Sequence, residues 1–119
     1  MRRDTAVAEH LPLPGVSFHI LLSLLEEDRH GYAIIQHVAG RTDGALRIGA
    51  GTLYRALQRL VEQGLVAETD TRPAPDRDDE RRRYYRITPT GRRVARAEVG
   101  RLAELVRLAR ASGLAPERA

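Results

Sequence analysis

Apolar residues recur along this chain at helical spacing over most of its length and at strand-like spacing in a short central stretch. Residues 1–15 hold Pro12, Pro14 and Gly15 among scattered charges, a composition that reads as an extended or loosely ordered arm. Ser17 is placed to cap a first helix, in which Phe18, Leu21, Leu22, Leu24 and Leu25 form a broad apolar face ending at Glu26-Glu27-Asp28. His30-Gly31 marks a turn, after which Tyr32, Ile34, Ile35 and Val38 carry a second helix to Gly40, a suitable C-terminal stop. Arg41 to Gly51, with Gly44 and Gly49, reads as a turn into a third helix. There Leu53, Ala56, Leu57, Leu60 and Val61 make one buried stripe, and Gly64 supplies the stop.

Leu65-Val66-Ala67-Glu68-Thr69 and Arg83-Tyr84-Tyr85-Arg86-Ile87-Thr88 are rich in β-prone residues, and the connection 72–82 makes them a hairpin with a long tip. Thr88-Pro89 pairs an N-cap with proline at the first helical position, so a last helix is expected from about Pro89 to Ala111. Its residues Ala95, Val99, Leu102, Val106 and Ala109 alternate at four and three, the seam of a coiled coil, and Leu105 and Leu108 widen it. Such a helix needs a partner, here a second copy of the chain. Gly100 lies within it and weakens it by ~1 kcal/mol relative to alanine. The fold class is mainly α with a small β hairpin: a winged helix-turn-helix plus a C-terminal dimerisation helix. The expected organisation is a flexible arm over 1–16, a winged-helix unit over 17–88, the dimerisation helix over 89–111 and a frayed tail over 112–119.

Composition narrows the chemistry. The 119 residues suffice for one domain with a modest core. No apolar run approaches the ~18 residues of a membrane span, and no secretory signal is legible behind Met1-Arg2-Arg3, so a cytoplasmic location is expected. The absence of cysteine excludes disulfides, thiolate metal sites and thiol nucleophiles. A net charge of +4 and a pI near 10.3 fit a nucleic-acid partner. All 20 basic residues are arginine, which suits bidentate contacts and equally fits a compositional bias.

The third helix carries a second face, with Thr52, Tyr54, Arg55 and Arg59, that core packing does not require. The major groove admits one helix, and arginine can donate two hydrogen bonds to guanine, each good pair discriminating by ~1–3 kcal/mol. The run Gly51-Thr52-Leu53-Tyr54, with Ala56-Leu57, Arg59-Leu60, Gly64-Leu65-Val66, Arg82-Arg83-Tyr84-Tyr85-Arg86-Ile87-Thr88 and Gly91, resembles the PadR-like family of regulators. His30-Gly31-Tyr32 adds to the resemblance, which covers roughly residues 17–110.

That resemblance implies a DNA-binding winged helix, dimerisation through the last helix, and repression relieved by a small-molecule effector. The partners it implies are a palindromic double-stranded operator and a second protomer. Thr52 and Tyr54 would approach DNA from the recognition helix, Tyr32 would touch the backbone, and Arg82, Arg83, Tyr84 and Tyr85 would support the wing. The chain departs from the family pattern at Gly49 and Ala50, which weaken the helix start, and at Arg55, where proline is frequent. Arg55 thereby becomes a candidate base contact.

Other readings of the same residues stand beside these. Tyr54 could donate to a phosphate or pack against the wing, and Arg59 could contact DNA or pair with Glu62. Asp78, Asp79 and Glu80 would be repelled by phosphate, whereas Arg81, Arg82 and Arg83 would be drawn to it. His30 and His37 lack a third ligand at metal spacing, so neither metal nor cofactor is expected. Ser17, Ser23 and Ser112 lie in no nucleophile motif, and no enzyme is expected. The alternative function is a winged-helix protein-interaction module without specific DNA binding.

Overall fold

The structure, a computed structural model, describes residues 6–69 and 83–114. Helix α1 (Gly15–Ser23) is apolar on most sides and is accordingly surrounded, with Ile20 and Leu21 wholly buried. Strand β1 (Arg29–His30) leads directly into α2 (Gly31–Arg41), and α3 (Ala50–Glu62) follows after a loop. Strands β2 (Val66–Thr69) and β3 (Tyr84–Ile87) then precede α4 (Pro89–Ala111). The chain is mainly helical with a small antiparallel sheet, as its patterning requires. The core lies among α1, α2 and α3, where Ile34, Val38, Leu53, Leu57 and Leu60 meet Ile20 and Leu21. Val94 and Ala95 at the start of α4 join it from the other side.

The sheet has one strand more than the expected hairpin. Its order is β1-β3-β2, with Val66 opposite Ile87 and Thr69 opposite Tyr84 on one side, and Arg29 opposite Tyr85 and His30 opposite Tyr84 on the other. Two residues carry no period, so β1 leaves no mark in the hydrophobic pattern. Its pairing is reinforced by the edge-to-face packing of His30 on Tyr84, ring centroids 5.3 Å apart. The hairpin connection 72–82, and with it Arg82, lies outside the described residues.

Helix ends follow the sequence in some places and not in others. Thr88 caps α4 by accepting from the Gly91 N–H at 2.9 Å, with Pro89 at the first helical position, as expected. Gly64 closes α3 with φ +77°, a conformation that favours glycine. Ser17, however, is not a cap: α1 begins at Gly15, after Pro14, and Ser17 is buried within it. The helix starts three residues earlier because Pro14 accepts the Phe18 N–H through its carbonyl, at 3.0 Å, and so opens the first turn. Nor does Gly40 end α2; the helix runs on to Arg41, and the chain turns at Asp43 and Gly44, φ +53° and +80°. The segment expected to be a flexible arm also contributes to packing, since Leu13 is buried in the core and Val7 and Leu11 lie against it.

Candidate nucleic-acid interface

Helix α3 separates its two faces sharply. Leu53, Ala56, Leu57 and Leu60 are buried, whereas Thr52, Tyr54, Arg55 and Arg59 are exposed. Thr52, Arg55 and Arg59 are three and four residues apart and therefore share one side of the helix. Gly49 stands at the N-cap with no side-chain hydrogen bond, so the helix start is unsupported by a capping side chain, in line with the departures at Gly49 and Ala50. The Arg55 guanidinium folds back over Gly51 in the first turn, with no acidic residue in that turn to hold it.

Tyr54 is 48% exposed although its ring tip lies against Gly31, where a β-carbon would overlap the Tyr54 hydroxyl. The head of α2 and helix α3 thus meet at this contact, one residue from Tyr32, which is 56% exposed. His30 caps α2 by accepting the Ala33 N–H on Nδ1 at 3.1 Å. The three residues His30, Gly31 and Tyr32 therefore have separate tasks: a cap, a seat for Tyr54, and an outward-facing phenol. The seat is what sequence reading missed, because a motif names residues and not the distance between them.

A cleft of about 370 Å³ runs between α3 and the wing, bordered by Tyr54, Gln58, Val61, Glu68, Arg83 and Tyr85. Arg83 is exposed and lies 3.6 Å from Glu68, an exposed pair of the kind worth ~0–1 kcal/mol and easily exchanged for a phosphate. Burial pushes the Tyr85 phenol above its usual pKa, with neighbouring Glu68 and Tyr54 adding to the effect. Glu62 and Glu68 put negative charge beside the C-terminal half of α3. The N-terminal half, with Thr52, Tyr54 and Arg55, is the part of α3 best suited to a polyanion.

Helix α4 has two regions. Val94, Ala95 and Glu98 are buried in the chain's own fold, and beyond them Val99, Leu102, Leu105, Val106 and Leu108 are 37–51% exposed. Ala95, expected in a seam with a second protomer, is only 4% exposed because it packs in the core of its own chain. Ala109 is half-buried. Where the two regions meet, Glu98 accepts two hydrogen bonds from Arg101 at 2.8 Å each and one from the Leu13 backbone. The bond to the Arg101 guanidinium is the main reason its carboxyl titrates below the usual range.

Among the described residues no three His, Asp or Glu gather as metal ligands, and no helix is long and apolar enough to cross a membrane. The profile of the transcriptional regulator PadR-like family matches residues 20–97. A transcriptional regulator of Mycobacterium tuberculosis is 34% identical over 93 residues, 78% of this chain and 80% of that protein. An uncharacterised protein of Lysinibacillus sphaericus is 37% identical over 73 residues, 61% of this chain, and the match spans 64% of that protein's length. Among solved structures, a transcriptional regulator from Clostridium thermocellum superposes with a TM-score of 0.67 at 30% identity, over 78% of this chain and 87% of that one. Bacillus subtilis PadR in complex with operator DNA shares the fold, with a TM-score of 0.60 at 17% identity over 74% of this chain and 48% of that one.

Proposed function

The chain belongs to the PadR-like family, whose members are transcriptional regulators and not enzymes, and from that premise we propose that it is a dimeric repressor that binds a palindromic operator. The observation that carries this reading is the outer face of α3, where Thr52, Tyr54, Arg55 and Arg59 are exposed on a helix whose opposite side alone satisfies the core. Arg55 makes the base contact, Thr52 and Tyr54 set register on the phosphates, and Tyr32 reaches the backbone from α2. Arg59, Arg82 and Arg83 supply further phosphate contacts. The chain shares its fold with a protein solved on operator DNA, which supports reading it as a DNA-binding protein.

The second protomer covers the apolar stripe Val99-Leu102-Val106-Ala109, whose three- and four-residue spacing is that of a helix pair, with Leu105 widening it. A C2 dimer presents two recognition helices and therefore reads half-sites related by a dyad, about one or two helical turns apart. A small-molecule effector that relieves repression belongs to the same reading. The chain has no tryptophan, so such an effector is not stacked between indoles.

Repeated selection of bound duplexes from a random pool tests the reading. A dyad-symmetric consensus is the expected result. Recovery of unrelated sequences at every round would refute sequence-specific binding and favour a protein-interaction module.

A further inference from the structure

The structure assigns to Gly31 a role in DNA binding: it is the positioning residue that lets the Tyr54 hydroxyl stand where a phosphate can reach it. The inference rests on the reading of α3 as the recognition helix. Three atoms at the tip of Tyr54, the hydroxyl oxygen, Cζ and Cε1, lie where a β-carbon on Gly31 would have to be. Any other residue at position 31 therefore forces one of the two partners to move.

Which one moves is decided by how each is held. Gly31 is the first residue of α2 and follows directly on β1, whose Arg29 and His30 pair with Tyr85 and Tyr84 of β3. His30 also caps α2 and packs its ring on Tyr84. Gly31 itself is buried. Withdrawing the head of α2 would break strand pairing, cap and ring contact together. Tyr54, by contrast, is half exposed and meets Gly31 only at the far end of its side chain, which a rotation about χ1 can swing aside. An added methyl group at position 31 thus leaves the fold in place and displaces the phenol from the groove-facing surface.

The two residues behave as one unit. The smallest amino acid at the head of α2 has no task of its own in contacting DNA; its task is to leave room. The contact made by Tyr54 is from a neutral hydroxyl, so its loss lowers affinity without changing the number of counterions released.

The experiment is a cycle of Gly31→Ala, Tyr54→Phe and the double variant, read by fluorescence anisotropy on a duplex selected by the unaltered protein from a random pool. Gly31→Ala and Tyr54→Phe should each weaken binding about tenfold, as loss of a hydrogen bond to a charged group does. The double variant should be no weaker than either single one, and the slope of log affinity against log salt should stay unchanged. Losses that multiply to about a hundredfold would overturn the proposal, as would unaltered binding by Gly31→Ala. Should Gly31→Ala lower the melting temperature, Gly31→Ala with Tyr54→Ala must melt with Tyr54→Ala alone; failure of that rescue would place the clash elsewhere and refute the assignment. If the unaltered protein selects no duplex at all, it is the recognition-helix reading that falls.

Discussion

Replacing Gly91 and Gly100 of the same helix by alanine should change stability in opposite directions. A β-carbon at Gly91 would overlap the Leu65 carbonyl oxygen and crowd Ile87 Cγ1, and a backbone carbonyl cannot rotate away as a side chain can. The same carbonyl accepts the Thr88 N–H at 3.0 Å, and Thr88 Oγ1 donates to the Gly64 carbonyl at 2.7 Å, so the start of α4 is stitched to the end of α3 at this point. Overpacking of this kind costs about 1–3 kcal/mol, and loosening the Thr88 bond costs about 1 kcal/mol more. Alanine's better helix propensity returns about 1 kcal/mol. A net loss of about 1–3 kcal/mol corresponds, at roughly 3–6 °C per kcal/mol for a domain of this size, to a melting temperature lower by roughly 3–18 °C. Gly100 has open space around it and lies one residue past Val99, outside the apolar seam, so Gly100→Ala gains the propensity term alone and melts roughly 3–6 °C higher. Thermal melts followed by circular dichroism at one fixed protein concentration measure both. Shifts of the same sign and size would refute the close approach of α4 to Leu65.

Further outcomes follow from the same geometry. Arg55→Ala should weaken binding to the selected duplex by about 1–3 kcal/mol and relax preference at a single base pair of each half-site, read by titrating a panel of single-base variants. Val106→Glu should place charge in the apolar stripe of α4 and give a monomer in sedimentation velocity at micromolar concentration, with operator affinity falling in step. Glu98 titrates below the ordinary carboxylate range in the folded chain, so its bonds to Arg101 contribute stability that is present above that range and lost as the pH falls through the folded value. Urea midpoints of the unaltered chain and of Glu98→Gln should therefore differ near neutrality and converge as the solution becomes acid.

Much of this was legible in the residues because each helix carries its own period. The stripe Leu53-Ala56-Leu57-Leu60 could only be a buried helix face, and Thr88-Pro89 could only open a helix. Three features were not legible, for different physical reasons. Strand β1 is two residues long, too short to show alternation, and exists only because β3 offers it an edge. Ala95 fits the four-three spacing of the seam, yet spacing cannot tell a neighbour within the chain from one in a second copy. Leu13 sits between prolines that read as loop, while its burial depends on α4 passing nearby, where Glu98 holds its backbone. The candidate interface was legible by residue type, and the structure added the contact between Tyr54 and Gly31 that joins its two halves.

The central claim, that the outer face of α3 reads DNA sequence, is tested most directly by anisotropy titration of the selected duplex against a scrambled duplex of equal length and composition. The account predicts at least roughly 10³-fold tighter binding to the selected duplex near physiological salt, and affinity for both falling steeply as salt is added. Equal affinity for the two duplexes would contradict it.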